Sequence, residues 1–335
     1  MKHVIVSESL QESEARPPGT FDSLVDRCVA AARDLLAGQG EMARLSSCPA
    51  CGSSSLAMAF SRHGYEYVEC HDCRSLWASP RPSAEQMRWY LHDSPAALFR
   101  SDPKYVDSIR GRLQDVALGY ADLMEDLAGR VRCPGWVVLF GPRTPVAIDR
   151  IARRGISPIA VVDRLPPFDD LGGTDQKTFD SLAELGPGSA RLVAAFDILE
   201  HDCDVAAFLA EAHRVLAPDG VLVATARAGS GFDVQVLWEH ADVFPAEHIN
   251  LISVEGVQTL LDRTGFEALE VSTPGQLDVQ IIRRIHDQRG VPLPRFLNYI
   301  LSHRDASSLE RFQAFIQEQR LSSHLRVIAR KLKSN

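Results

Sequence analysis

Four cysteines carry the most specific chemical pattern in the chain. Cys48-Pro49-Ala50-Cys51 is followed, after eighteen residues, by Cys70-His71-Asp72-Cys73. Each C-x-x-C turn presents two thiolates from one tight loop, and two such turns at this separation close a tetrahedral zinc site. Gly52 follows the first pair, where a backbone tolerant of positive φ is useful; Arg74 stands at the equivalent place in the second. With all four ligand positions filled by Cys48, Cys51, Cys70 and Cys73, the spacing predicts a structural zinc that helps fold a module too small for much of a core. A redox pair would need a thioredoxin-like βαβ context, which this segment lacks. Cys28, Cys133 and Cys203 read as small core residues, and His71 as an exposed one.

The elements that must hold these groups follow from periodicity. Residues 1–43 read as an arm and one amphipathic helix over 21–37, stopped at Gly38. Residues 44–83 form the zinc module, with strand-like stretches at 56–60 and 65–68. Residues 84–132 are a helical linker with a long helix over 104–129. From 133 to 274 short apolar strands (136–140, 159–163, 192–196, 220–225, 266–272) alternate with amphipathic helices. That alternation predicts an α/β, doubly wound, Rossmann-like domain. Residues 275–335 read as a C-terminal helical extension ending in a basic, solvated tail.

In such a sheet ligands bind at the carboxyl ends of the strands. Asp163 ends a predicted strand, and Asp197, Glu200 and His201 follow the next one. Thr144 and Pro145 suit the start of a helix, and Arg143 beside that N-terminus could hold an anion.

Composition narrows the classes. The chain has 335 residues, 45% hydrophobic and 24% charged, with a formal net charge of -8. An acidic chain argues against a general nucleic-acid binder, which needs cations against phosphate. No apolar run is long enough to span a bilayer, and Val4–Val6 is too short for a signal peptide. A cytoplasmic protein with thiols, not disulfides, is the expectation.

Several stretches together resemble a known family. They are CPACG…YEYVECHDCRSLWASPRPS, FDILEHDCDVAAFLAEAHRVLAPDGVLVATA, PAEHINLISVEGVQTLLDRTGF, STPGQLDVQII and FQAFIQEQRLSSHLRVIARK. Over residues 46–332 the chain resembles class I S-adenosylmethionine-dependent methyltransferases with an N-terminal zinc-binding domain, among them sugar C-methyltransferases acting on nucleotide-linked deoxysugars.

The resemblance implies a methyl donor, a small sugar- or nucleotide-sugar-type substrate and a place in a biosynthetic pathway. It implies that Asp163 grips the donor's ribose and that Gly141, Arg143, Asp197 and His201 border the donor. It also implies that His248 is a general base and Glu247 its partner: carbon methylation beside a ketone removes an α-proton, and histidine titrates near neutrality.

The family's glycine-rich loop departs here. In Val138-Leu139-Phe140-Gly141-Pro142-Arg143-Thr144-Pro145, only Gly141 is kept, and Leu139 stands at the acidic position. Two further readings therefore stand beside methyl transfer. One is a relative that has dropped the donor and performs base-driven isomerisation, dehydration or condensation. The other is a non-catalytic partner subunit. Tyr65, Tyr67, Trp77, Trp89 and Tyr90 are candidate walls of a substrate cleft, and Trp238 and His240 a loop over it.

Overall fold

The structure is a computed structural model; it describes residues 11–332 except 18, 39, 141–150 and 163–175. Two sheets organise it. The first opens with β1 (Leu56–Arg62), β2 (Tyr65–Cys70) and β3 (Leu76–Ser79). The second contains β4 (Trp136–Phe140), β5 (Ile159–Val162), β6 (Gln176–Phe179), β7 (Ala190–Phe196) and β8 (Leu216–Arg227). Then come β9 (Asn250–Leu251), β10 (Phe266–Ser272) and β11 (His324–Lys331).

The seven-stranded order is β10-β11-β8-β7-β4-β5-β6. Strands β4 to β8 pair in parallel, and β11 enters antiparallel between β8 and β10. This is the Rossmann-like methyltransferase arrangement. The continuous apolar runs Val137–Leu139 and Ile159–Val162 are buried, as strands covered on both faces must be. The crossover helix Val205–Val215 starts where the Asp204 carboxylate accepts from the Ala207 N–H at 3.0 Å. The helix Val254–Arg263 starts at Ser253, whose Oγ accepts from Gly256 N–H at 2.8 Å. Both are side-chain N-caps.

Three sequence expectations change. The extension after residue 274 is helical over 278–289, 295–303 and 306–318, but its last segment is β11, inside the main sheet. Its cations had read as a solvated tail; instead Arg326 and Arg330 are matched by Glu270 and Glu267 of β10, at 2.6 and 2.5 Å. Second, the long linker helix is broken at Ile109 into Pro103–Ser108 and Arg110–Arg130. Third, the cysteine module is not freestanding. Its sheet, β1-β2-β3-β9, takes its last strand from the α/β half. Cys48, Cys70, Cys73 and Trp77 share one apolar cluster with Val193, Leu209 and Leu260.

No helix among the described residues is long and apolar enough to cross a membrane.

Candidate functional site

The four cysteines converge as the spacing predicts. Their Sγ atoms all lie within 4.8 Å of one another, with Cys48–Cys73 at 3.6 Å and Cys51–Cys70 at 3.5 Å. Four thiolates about 2.3 Å from a zinc ion sit about 3.8 Å apart, so this set fits a tetrahedral zinc site closed to substrate. Each turn is shaped by its backbone. The Gly52 N–H donates to Cys48 O and the Arg74 N–H to Cys70 O, both at 2.9 Å. Gly52 has φ +80° and Arg74 φ +62°. Arginine therefore adopts the left-handed conformation that glycine takes in the first turn, helped by an ion pair to Glu69 at 3.0 Å.

The cysteine turns dock on the helix Val254–Arg263. Ser253 N–H donates to Ser75 Oγ at 3.0 Å, and Ser253 Oγ donates to Cys73 O. The Arg263 guanidinium reaches Ala50 O at 2.8 Å.

A cleft of about 450 Å³ opens at the carboxyl ends of β7 and β8. The helix Arg110–Arg130 contributes Arg112 and Tyr120; Asp197 and Glu200 follow β7; Thr225 and Arg227 end β8; His248, His324 and Asp278 are also among the lining residues. Asp197 turns the chain at φ +56°. Its carboxylate accepts from Thr225 Oγ1 at 2.8 Å and from the Tyr120 hydroxyl at 3.3 Å. The Tyr120 ring stacks on Phe196 with centroids 3.8 Å apart. Burial first, and Asp197 second, push the Tyr120 pKa well above its ordinary value, so it donates. The Arg227 guanidinium is held by the buried Asp233 at 2.5 Å.

Glu247 and His248 adjoin in sequence but face different partners. The Glu247 carboxylate accepts from the Tyr90 hydroxyl at 2.7 Å and pairs with Arg100 through the same oxygen. Its other oxygen lies 3.9 Å from His201 Nε2. Glu247 thus ties the helices Ala84–His92 and Pro95–Arg100 to this segment. His248 lines the cleft. Its Nδ1 accepts from the Phe244 backbone N–H at 3.1 Å, and its carbonyl accepts from the Tyr67 hydroxyl at 3.0 Å. Burial, then Arg227, push its pKa well below the usual histidine value. An imidazole whose Nδ1 lone pair is spent and whose cation is disfavoured does not suit the base role that the resemblance implied.

Of the residues implied to border a donor, Asp197 lines the cleft, whereas His201 faces Glu247. Gly141, Arg143 and Asp163 lie outside the described residues. Leu139 is described: it is 2% exposed and packs with Val137 and Val161. At the methionine end of an S-adenosylmethionine, where the family places a carboxylate for the ammonium group, it offers no polar atom. In that respect the described residues do not fit the donor.

The aromatic expectation is corrected. Tyr65, Tyr67, Trp77 and Tyr90 are fully buried core, not cleft wall. Trp238 is pinned to β1 by its indole N–H on Ala59 O at 3.3 Å. Tyr120, Thr225, Arg227 and Arg112 were missed. Thr225 and Arg227 carried a signal, since they end a strand beside the crevice; Tyr120, in mid-helix, carried none. Also missed was the buried clamp in which Arg81 donates to Asn250 Oδ1 at 2.8 Å and to Cys203 O at 3.1 Å.

Residues 114–271 match a family model described as Methyltransferase domain. No curated protein matches the chain. Solved structures that resemble it include 1,6-didemethyltoxoflavin-N1-methyltransferase of Burkholderia thailandensis with bound 1,6-didemethyltoxoflavin and S-adenosylhomocysteine. It is 15% identical, with 78% of this chain and 98% of that chain covered, at a TM-score of 0.44. The cyclopropane synthase MmaA2 of Mycobacterium tuberculosis is 15% identical over 64% of this chain and 84% of that one, at 0.37. The cyclase SpnF is 14% identical over 64% and 81%, at 0.40. The methyltransferase-domain match covers residues 114–271, somewhat under half of the chain, and the strand order of the seven-stranded sheet agrees with it.

Proposed function

We propose that the protein is a small-molecule enzyme of the methyltransferase type, with its substrate in the cleft beside Asp197, Thr225 and His248. The observation that carries this reading is the coincidence of a polar-lined cleft with the carboxyl ends of β7 and β8, where a sheet of this kind binds ligands. A sugar- or nucleotide-sugar-type substrate is the finer form of the proposal, and it rests on the resemblance of the segment 245–250. The cysteine cluster holds zinc structurally and fixes β2 and β3 against the segment that carries His248. S-adenosylmethionine, if bound, would supply an electrophilic methyl group; Gly141, Arg143, Asp163 and Asp197 are the residues proposed to border it.

Leu139 favours a second reading, in which the fold and cleft persist without the donor. Calorimetric titration of the full chain with S-adenosylmethionine separates the two. Saturable binding in the micromolar range supports methyl transfer; no heat at millimolar ligand supports the donor-free reading.

A further inference from the structure

The hydrogen bond to His248 settles which of its nitrogens carries the proton. A backbone N–H is always a donor, so the contact from Phe244 requires a lone pair on His248 Nδ1. A neutral ring then has its proton on Nε2, on the opposite edge, and Nε2 has no partner among the described residues. The segment is held in this pose by the Tyr67 hydroxyl on the His248 carbonyl. The charged groups that act on His248 come from several elements: Arg227 at the end of β8, Arg16 on the N-terminal segment, His201 after β7, and the adjacent Glu247. Arg227 also lines the cleft, and its buried Nε has no hydrogen-bond partner among the described residues. Glu247 is turned toward Tyr90 and Arg100. His248 and Arg227 both line the cleft, and the donors these two residues bring to it are an imidazole N–H and a guanidinium.

We propose that His248 acts as a hydrogen-bond donor, and that its Nε2–H together with Arg227 receives a substrate oxygen that carries or gains negative charge. A carbonyl oxygen passing toward an enolate is the substrate chemistry that such a pair serves. This deepens the cleft reading above but does not depend on which methyl donor, if any, is bound.

The full chain labelled with ¹⁵N-histidine tests the assignment, with His248→Gln identifying the signal and circular dichroism confirming that the variant folds. The expected spectrum shows a neutral ring protonated at Nε2, which stays neutral as the pH falls through the ordinary histidine value. A proton on Nδ1, or a midpoint near the ordinary histidine value, overturns the proposal. Because this readout needs no donor, it fails or succeeds separately from the S-adenosylmethionine titration. In a turnover assay, His248→Gln keeps an N–H on the Nε2 side and should stay within about tenfold of wild type. His248→Asn should lose on the order of 10²-fold in kcat. Equal, complete loss in both variants indicates a base and contradicts the donor role.

Discussion

The Tyr67 hydroxyl, on the second strand of the cysteine module, donates to the carbonyl oxygen of His248 at 3.0 Å. The sheet of the cysteine module thus holds the backbone of a cleft residue 181 positions away in sequence. Tyr67→Phe leaves that carbonyl short of its partner in a buried setting and should lower stability by about 1–2 kcal/mol. Urea unfolding checks the value. Tyr65→Phe is the control: its hydroxyl serves Ala32 O at 3.0 Å, away from the cleft. Both variants should lose stability, but Tyr67→Phe alone should move the His248 resonances. An unchanged His248 signal in Tyr67→Phe would separate module from cleft.

Metal removal should act on the same relationship. The cysteine turns share a core with the α/β half and bond to Ser253 at the start of the helix Val254–Arg263. The protein should therefore contain one zinc per chain, and a strong chelator should lower its melting temperature and loosen the module. Cys70→Ser should lower metal content in the same way. Metal-free protein that melts with the untreated sample would show that the cluster is four packed thiols.

Gly256 marks how closely the two parts approach. A Cβ there would lie 2.2 Å from Ser75 Oγ. Gly256→Ala should force the module away from the helix and cost about 1–3 kcal/mol, as overpacked interiors do. The denaturation midpoint reads this directly, and a stabilised variant would refute the docking geometry.

A pH effect is built in at Asp242, which is 1% exposed. Burial alone would raise its pKa, but Arg16, Arg284 and Arg289 outweigh that and hold it at about 2, below the ordinary 3.8. Arg16 and Arg289 lie at 3.2 and 2.9 Å, and Arg284 is also paired. Because the folded-state value is depressed, the associated stability is fully present above about pH 4. It is lost as the pH falls toward about 2, and amounts to about 2 kcal/mol. Urea midpoints across that window should fall in the wild type. Asp242→Asn should be less stable at neutral pH and should lack this part of the slope.

How much of this was legible in the sequence depended on how local each signal was. The four-cysteine cluster was readable because ligand chemistry dictates the spacing of Cys48, Cys51, Cys70 and Cys73. Strands β4 and β5 were readable because buried parallel strands are uninterrupted apolar runs. Strand β11 was not: Arg326 and Arg330 look solvated until Glu270 and Glu267, about sixty residues earlier, supply their counter-charges. The histidine at 248 was readable as a candidate and lines the cleft, but the hydrogen bond that orients its ring was not readable. That depends on one backbone N–H from Phe244, which no side-chain pattern records. Tyr120 reaches Asp197 across 77 residues, and nothing in its helix distinguishes it.

The central claim is that the crevice at the carboxyl edge of the sheet is a working ligand site. A crystal structure grown with millimolar S-adenosylhomocysteine tests it most directly. The methyl-transfer reading predicts ligand density over the ends of β4 and β5, between Asp163 and Asp197, with the small-molecule cleft open beside it. A crevice filled by the side chains of Arg143 and Pro145, with no ligand density at that edge, would contradict it.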